Sequence, residues 1–358
     1  MLSVFTWLPK NKKSLKKVVS SGFLYLQGQI LSCTMAQKPP FYDQLHLPIV
    51  AAPMFLISGP ALVIACCTQG IVGTFPALNQ RTTEGFEAWV VEIKQALADF
   101  EARTGQKPAP FGVNLIVHPT NPRLLADLQV CIKHQVPLII TSLGAVSDLV
   151  DAVHAYGGLV YHDIIKKRHA EKAAEAGVDG LILVSAGAGG HAGNLNPLAL
   201  MAEVKQVFNK TILLAGCIST GIDIAAALQM GADLAYMGTR FINTRESNAP
   251  TEYQTMIERA GANDIVYTAA VSGVHANFLG PSLAAAGLEG EALKADHKVD
   301  FGKELDHEAK AWKTIWSAGQ GVASIDKTVS VAELAAQLKT ELNHALGQQM
   351  SQAERWKV

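Results

Sequence analysis

The chain is poor in charge and in cysteine. Only 17% of its 358 residues are charged and the net charge is −1, so the composition carries no excess of cations with which to hold nucleic acid. No apolar run approaches the roughly eighteen residues that cross a bilayer, which argues against a membrane partner. The five cysteines (Cys33, Cys66, Cys67, Cys131 and Cys217) show neither paired nor metal-ligand spacing. They fit reduced thiols in a cytoplasmic protein, with no metal centre expected. What the chain has instead is apolar bulk: 49% of residues are hydrophobic, enough for one large domain or a domain with an insert. Small molecules are the partners that remain.

The first 42 residues contain no Asp or Glu but carry Lys10, Lys12, Lys13, Lys16, Lys17 and Lys38. An acid-free basic leader suits an organelle-targeting sequence, yet this one lacks arginine and a clear cleavage pattern. The reading favoured here is a disordered extension over 1–36, or a start codon placed upstream of Met35. Fold reasoning begins near Gln37.

From there, β-branched or Leu-rich runs alternate with amphipathic helical patterns. Eight runs precede residue 240: 48–52, 71–75, 111–116, 138–142, 158–162, 180–185, 212–216 and 234–238. Helical patterns lie between them, as at 84–103, 121–134, 166–176 and 223–230. Strand–helix alternation implies parallel pairing through right-handed crossovers, and eight repeats close a (β/α)₈ barrel. A doubly wound sheet is the rival, because Gly187-Ala188-Gly189-Gly190-His191-Ala192 matches a weak G-x-G-x-x-A fingerprint. The context then fails: Pro197 interrupts the helix due there, and the next strand ends without an acid for a ribose. The expected fold is therefore an α/β TIM barrel over 37–245 and 302–346. A small, mainly helical insert over 246–301 would cover its mouth, with helical character returning over 304–316 and 331–345.

Barrel chemistry sits at the carboxyl ends of the strands, and phosphates recur after strands seven and eight. Gly216, Cys217, Ser219 and Thr220 follow the seventh run, and Met237, Gly238 and Thr239 end or follow the eighth. The glycines admit an anion to backbone N–H groups, and Ser219 or Thr220 can cap the next helix. After the sixth run, the glycine loop leaves His191 beside any bound ligand with little bulk around it. At 162–163, alternation aims one residue of the pair at the mouth. His162 is taken as the ligand-contacting one, with Asp163 as a cap for the helix near Lys166. His118, His134, His154 and His169 read as surface residues, and Lys166, Lys167 and Arg168 as a solvated helix face.

Ordered short motifs carry a family resemblance. Pro48 to Met54, Phe111-Gly-Val-Asn114, Ala188 to Gly193, Ala215-Gly216, Ala232 to Phe241, Glu246-Ser247 and Trp316 to Gly321 resemble the nitronate monooxygenases, formerly called 2-nitropropane dioxygenases. The resemblance spans about 45–342. It implies an FMN-dependent barrel enzyme that oxidises small alkyl nitronates or nitroalkanes with O2, a nitroalkane-detoxifying role, and His191 as catalytic base or hydrogen-bond donor. FMN contacts carry over to Ala52, Pro53, Met54, Asn114, Gly189 and Gly190, with His162 added from the strand reading. Phosphate contacts carry over to Gly216, Cys217, Met237, Gly238 and Thr239. The chain departs from the usual Gln-Gly-x-Glu-Ala-Gly-Gly-His: Val184 replaces the glutamine, Gly187 the glutamate, and Cys217 stands where a second glycine is common. Two other readings stay open: an FMN-dependent NAD(P)H reductase of quinones or enoyl thioesters, and a non-catalytic binder of flavin or of a phosphate-bearing ligand. Oligomeric state is open as well, a homo-oligomer being compatible. Met54, Phe55, Leu56 and Phe278 are the candidate substrate-pocket residues.

Overall fold

The computed structural model describes residues 38–144, 146–271, 273–294 and 314–357. The expected leader and most of the helical stretch 304–316 lie outside them. Eight parallel strands close a barrel: β1 (Ile49–Ala51), β2 (Val72–Pro76), β3 (Phe111–Ile116), β4 (Leu138–Ser142), β5 (Leu159–Ile164), β6 (Gly180–Val184), β8 (Thr211–Ala215) and β9 (Leu234–Met237). β1 closes the ring on β9, with Val50 opposite Tyr236. Each predicted run supplies one strand, because a parallel strand buried on both faces is apolar throughout.

Side-chain alternation divides the core in two. Val50, Val72, Leu138, Ile140, Tyr161, Ile182, Leu213, Leu234 and Tyr236 point inward and fill the barrel. Phe41 plugs this interior from below, its ring 6.5 Å from that of Tyr161. The opposite faces (Ile49, Val113, Ile139, Val160, Leu181 and Leu214 among them) pack beneath the helices. Helix Thr83–Thr104 shows the local rules. Thr82 caps it by accepting from Gly85 N at 3.0 Å, Phe86, Val90, Ile93 and Leu97 bury one face, and Gly105 ends it at φ 68°. The last helix, Val331–Arg355, opens with a Ser330–Glu333 capping box and runs ten residues past its predicted end. It lies against helix Gly221–Gln229, where Gly221 N donates to Glu341 Oε2 at 2.7 Å.

The insert holds helices Thr251–Arg259 and Gly280–Ala285, and also a feature the periodicity did not announce. β10 (Ile265–Thr268) and β11 (Ala276–Leu279) form an antiparallel pair, and β11 takes on the two-residue β7 (Gly190–His191) as a third strand. Among the described residues no helix is long and apolar enough to cross a membrane.

Candidate active site

The carboxyl ends of the strands surround a cavity of about 460 Å³, within the range typical of small-molecule sites. On one side lies the loop after β1. Asn79 holds it, donating to Met54 O at 3.0 Å and Ser58 O at 2.8 Å and accepting from Leu56 N at 2.9 Å. Leu56 adopts φ 61° and Leu143, after β4, φ 67°. Two leucines in left-handed backbone are strained, and such strain collects where a loop must present a side chain to a ligand. Both line the cavity and remain 41% and 43% exposed. Tyr253 and Trp316 pack in one cluster with Ile57 and Met54 of that loop, their rings stacked with centroids 5.0 Å apart and the Tyr253 hydroxyl donating to Ser317 O.

Opposite this apolar rim, four loops interleave. Gln320 N donates to Gly187 O and Gly319 N to Thr239 Oγ1, both at 2.9 Å. A Cβ on Gly189 would meet Gly319 N at 2.9 Å, and one on Gly319 would meet Gly187 O at 2.6 Å. These glycines are required by backbone-to-backbone approach. Gly238 differs, because a Cβ there would meet nothing closer than Ala52 Cβ at 3.6 Å. The space beside it is room for a ligand. Cys217 takes φ 55°, which accounts for glycine being common at its position among the proteins the motifs resemble. After it, Thr220 caps helix Gly221–Gln229, and Asp223 Oδ2 accepts from Ser219 N at 3.0 Å and Thr220 N at 2.9 Å. That carboxylate occupies the amides of Ser219 and Thr220, so this helix start does not offer them to a ligand.

His191 stands in β7, aligned with Ala276 of β11 and exposed to the cavity it lines. Asn277 anchors the loop below, donating to Ala188 O at 2.7 Å. The density of protein around the cavity pushes the imidazole's pKa down to about 4, although its edge stays open to the cavity. At neutral pH the ring is uncharged, with one nitrogen able to accept a proton and the other to donate.

Of the residues expected at the site, Pro53, Met54, Asn114, Gly189, Gly190, His191, Gly216, Cys217, Gly238 and Thr239 line the cavity. Three do not. Ala52 sits just beneath Gly238. The Met237 side chain packs in the outer core, leaving its carbonyl to receive Ala52 N at 2.9 Å. His162 is a correction: it points out of the barrel, its Nδ1 2.8 Å from Thr141 Oγ1, and burial pushes its pKa down to about 4. Asp163 takes the cavity position instead. Tyr161 fills the interior, so the next inward residue on β5 is Asp163, and a shift of one residue exchanges the two faces. Nor does Asp163 cap the following helix, whose N-cap Lys166 has no side-chain cap bond. Phe278, expected in the substrate pocket, is fully buried behind Ala276 and Ile315 and does not itself line the cavity.

Sequence reading also missed some walls. Ser142, Tyr253 and Trp316 line the cavity, and only Gly319 and Gly321, within the Trp316–Gly321 motif, gave a sign that backbone passes close there. His134 and His154, read as surface residues, are paired with Glu87 and Asp179 at 2.7 and 2.8 Å.

The nitronate monooxygenase family model matches residues 40–341. The chain belongs to this family. It is thus an oxidoreductase of the nitronate monooxygenase type, 26% identical to the nitronate monooxygenase of Paraburkholderia phytofirmans over 84% of this chain and 93% of that protein. It is also 28% identical to an octahydroindene-carboxyl-CoA dehydrogenase of Rhodococcus jostii, over 66% of this chain and 63% of that one. Its fold is that of the nitroalkane oxidase from Streptomyces ansochromogenes, at TM-score 0.73 and 24% identity over 86% of this chain and 99% of that chain. FabK from Thermotoga maritima shares the fold at TM-score 0.71 and 22% identity, over 88% and 99% of the two chains. Family membership fixes the class, an oxidoreductase, and not the substrate.

Proposed function

We propose that the chain binds FMN and oxidises alkyl nitronates with O2 to carbonyl compounds and nitrite. The observation that carries this reading is a neutral histidine open to a cavity with a glycine cradle on one side and an apolar rim on the other. The residues fit the cofactor. The turns at Gly216–Cys217 and Gly238–Thr239 suit the phosphate, while Met54 and the Asn114 amide border the space for the ring. FMN, when bound, supplies electron transfer and the reaction with oxygen. The protein does the rest. A ring nitrogen of His191 accepts the α proton of a nitroalkane or donates to a nitronate oxygen, and Leu56, Leu143 and Trp316 surround the alkyl part and keep water from it.

Replacing His191 with Ala should lower nitroalkane turnover by roughly 10²–10⁴-fold, and nitronate turnover less, while leaving FMN content unchanged, as absorbance and steady-state rates would register. Unchanged turnover would remove His191 from the chemistry. The dehydrogenase relative, together with Val184 and Gly187 in place of the usual glutamine and glutamate, favours one second reading: an FMN-dependent NAD(P)H reductase of enoyl thioesters or quinones. Anaerobic addition of NADPH or of a small alkyl nitronate to the FMN-loaded protein separates the two. Bleaching by nitronate alone supports the oxygenase, and bleaching by NADPH alone supports the reductase.

A further inference from the structure

Asp163 is the one carboxyl among the described residues that line the cavity. Its Oδ2 lies 2.6 Å from Ser142 Oγ, which in turn lies 2.8 Å from Asn114 Nδ2. The direction of this chain is fixed at its far end. Asn114 Nδ2 also donates to Ile140 O at 3.2 Å, an atom that can only accept, so that side of the amide is the NH2 group. Ser142 therefore accepts from Asn114 and gives its own proton to Oδ2. Oδ1 is buried and has no hydrogen-bond partner among the described residues. Few native polar atoms are left in that condition, and each calls for a partner. Asp163 lines the cavity, so a group bound there can supply that partner, and any proton that Asp163 carries sits on Oδ1.

We infer that Asp163 contacts the polar edge of the ring system held in this cavity through Oδ1, and that its charge sets how readily that ring is reduced. The inference rests on the reading that FMN binds here. A carboxylate accepts from a ring N–H, a carboxylic acid donates to a ring carbonyl, and the ionised form opposes the two electrons that reduction adds.

Among the described residues, the other titratable groups facing the cavity are His191, Cys217, Tyr236 of β9 and Tyr253 of helix Thr251–Arg259. Burial raises the thiol and both phenols and pushes His191 down to about 4. Of the strands flanking β5, β4 contributes Ser142 and β6 contributes Val184, neither of them ionisable. Tyr161 lies one inward position below on β5 and is also raised, while His162 and His169 lie on the outer side. Burial lifts Asp163 to about 6. Asp163 is thus a cavity group whose charge changes between pH 5 and 8, and the Asp163→Asn comparison separates its contribution from that of the exposed His191.

The test is the midpoint potential of the FMN-loaded protein, titrated anaerobically with dithionite against a redox dye from pH 5 to 8, for wild type, Asp163→Asn and Ser142→Ala. Asp163→Asn should have the higher potential at pH 8, equivalent to a roughly tenfold gain in affinity for reduced over oxidised FMN, and the difference should close toward pH 5. Ser142→Ala removes the donor to Oδ2, makes the carboxyl harder to ionise and moves the onset of the potential drop to higher pH. Equal potentials for wild type and Asp163→Asn at every pH would overturn the inference. Should Asp163→Asn not fold, a Ser142→Ala curve superimposed on that of wild type would overturn it equally. A wild-type protein that takes up no FMN would defeat the underlying reading first, an outcome distinct from bound FMN with an unaltered potential.

Discussion

Gly238 is the residue at which space and charge part company. Its missing side chain leaves ordinary contact distances of 3.6–3.9 Å to Ala52 and Met54, so a larger residue folds without clash, yet the volume it enters belongs to the proposed phosphate. Gly238→Asp should therefore leave the thermal midpoint within a few degrees of wild type and abolish FMN retention, because the carboxylate repels the phosphate; the ratio of visible to ultraviolet absorbance after gel filtration reads this directly. His162 carries a second residue-scale prediction. Its folded pKa of about 4 lies below the ordinary 6.5, so between these values the unfolded chain binds the proton that the folded chain refuses. This contribution to stability is complete above pH 6.5 and is lost as pH falls toward 4. Asp163, raised to about 6 from 3.8, acts in the opposite sense below pH 6. The comparison must therefore be made against a variant that keeps Asp163. The stability of wild type relative to His162→Gln should decline between pH 6.5 and 4 in denaturant titrations, and a flat difference would place the imidazole in water.

Among the elements, the pairing of helices Gly221–Gln229 and Val331–Arg355 is close enough to depend on one missing methyl. A Cβ on Gly221 would overlap Leu342 N and come within 2.5 Å of Leu338 O, both backbone atoms that cannot turn aside. Gly221→Ala should force the helices apart at a cost of about 1–3 kcal/mol, seen as a lowered unfolding midpoint; because helix Gly221–Gln229 follows the Gly216–Cys217 turn, FMN affinity should weaken with it. Element-scale legibility was uneven for physical reasons. The eight barrel strands were legible because burial on both faces writes a continuous apolar run. That same uniformity hid the phase of β5: Tyr161 and His162 are both buried, so only the closed ring reveals which of them shares the inner face with Asp163. β7 is two residues long and β10 and β11 four each, too short for alternation to register, and the insert therefore read as helical.

For the molecule as a whole, the chain closes on itself twice, once through β1 against β9 and once through the last helix, which covers the barrel with Val331, Leu334, Ala335, Leu338, Leu342 and Ala345. Truncation at residue 330 would uncover that apolar stripe along with the faces it shields, and the shortened protein should be recovered insoluble or without a cooperative thermal transition. Leu338→Ala, a milder change at a fully buried site, should cost about 2–5 kcal/mol, checked by denaturant titration. Global architecture followed from periodicity, and the glycine cradle from motifs whose order along the chain is specific. Invisible in the sequence were the side chains that meet only through closure: the Asn114–Ser142–Asp163 chain joins three separate strands, and the Tyr253–Trp316 stack joins segments 63 residues apart in number.

His191 belongs to the register of a three-stranded sheet, not to that of the barrel. The barrel makes the chamber, while the hairpin of β10 and β11 aims the imidazole into it through Ala276 and Asn277. Aim and enclosure are thus inherited separately. Exchanging residues 265–279 for a hairpin of different twist that keeps Asn277 would swing the imidazole without altering a barrel strand, which gives this architecture a route to new substrates that leaves the turns at Gly216 and Gly238 intact.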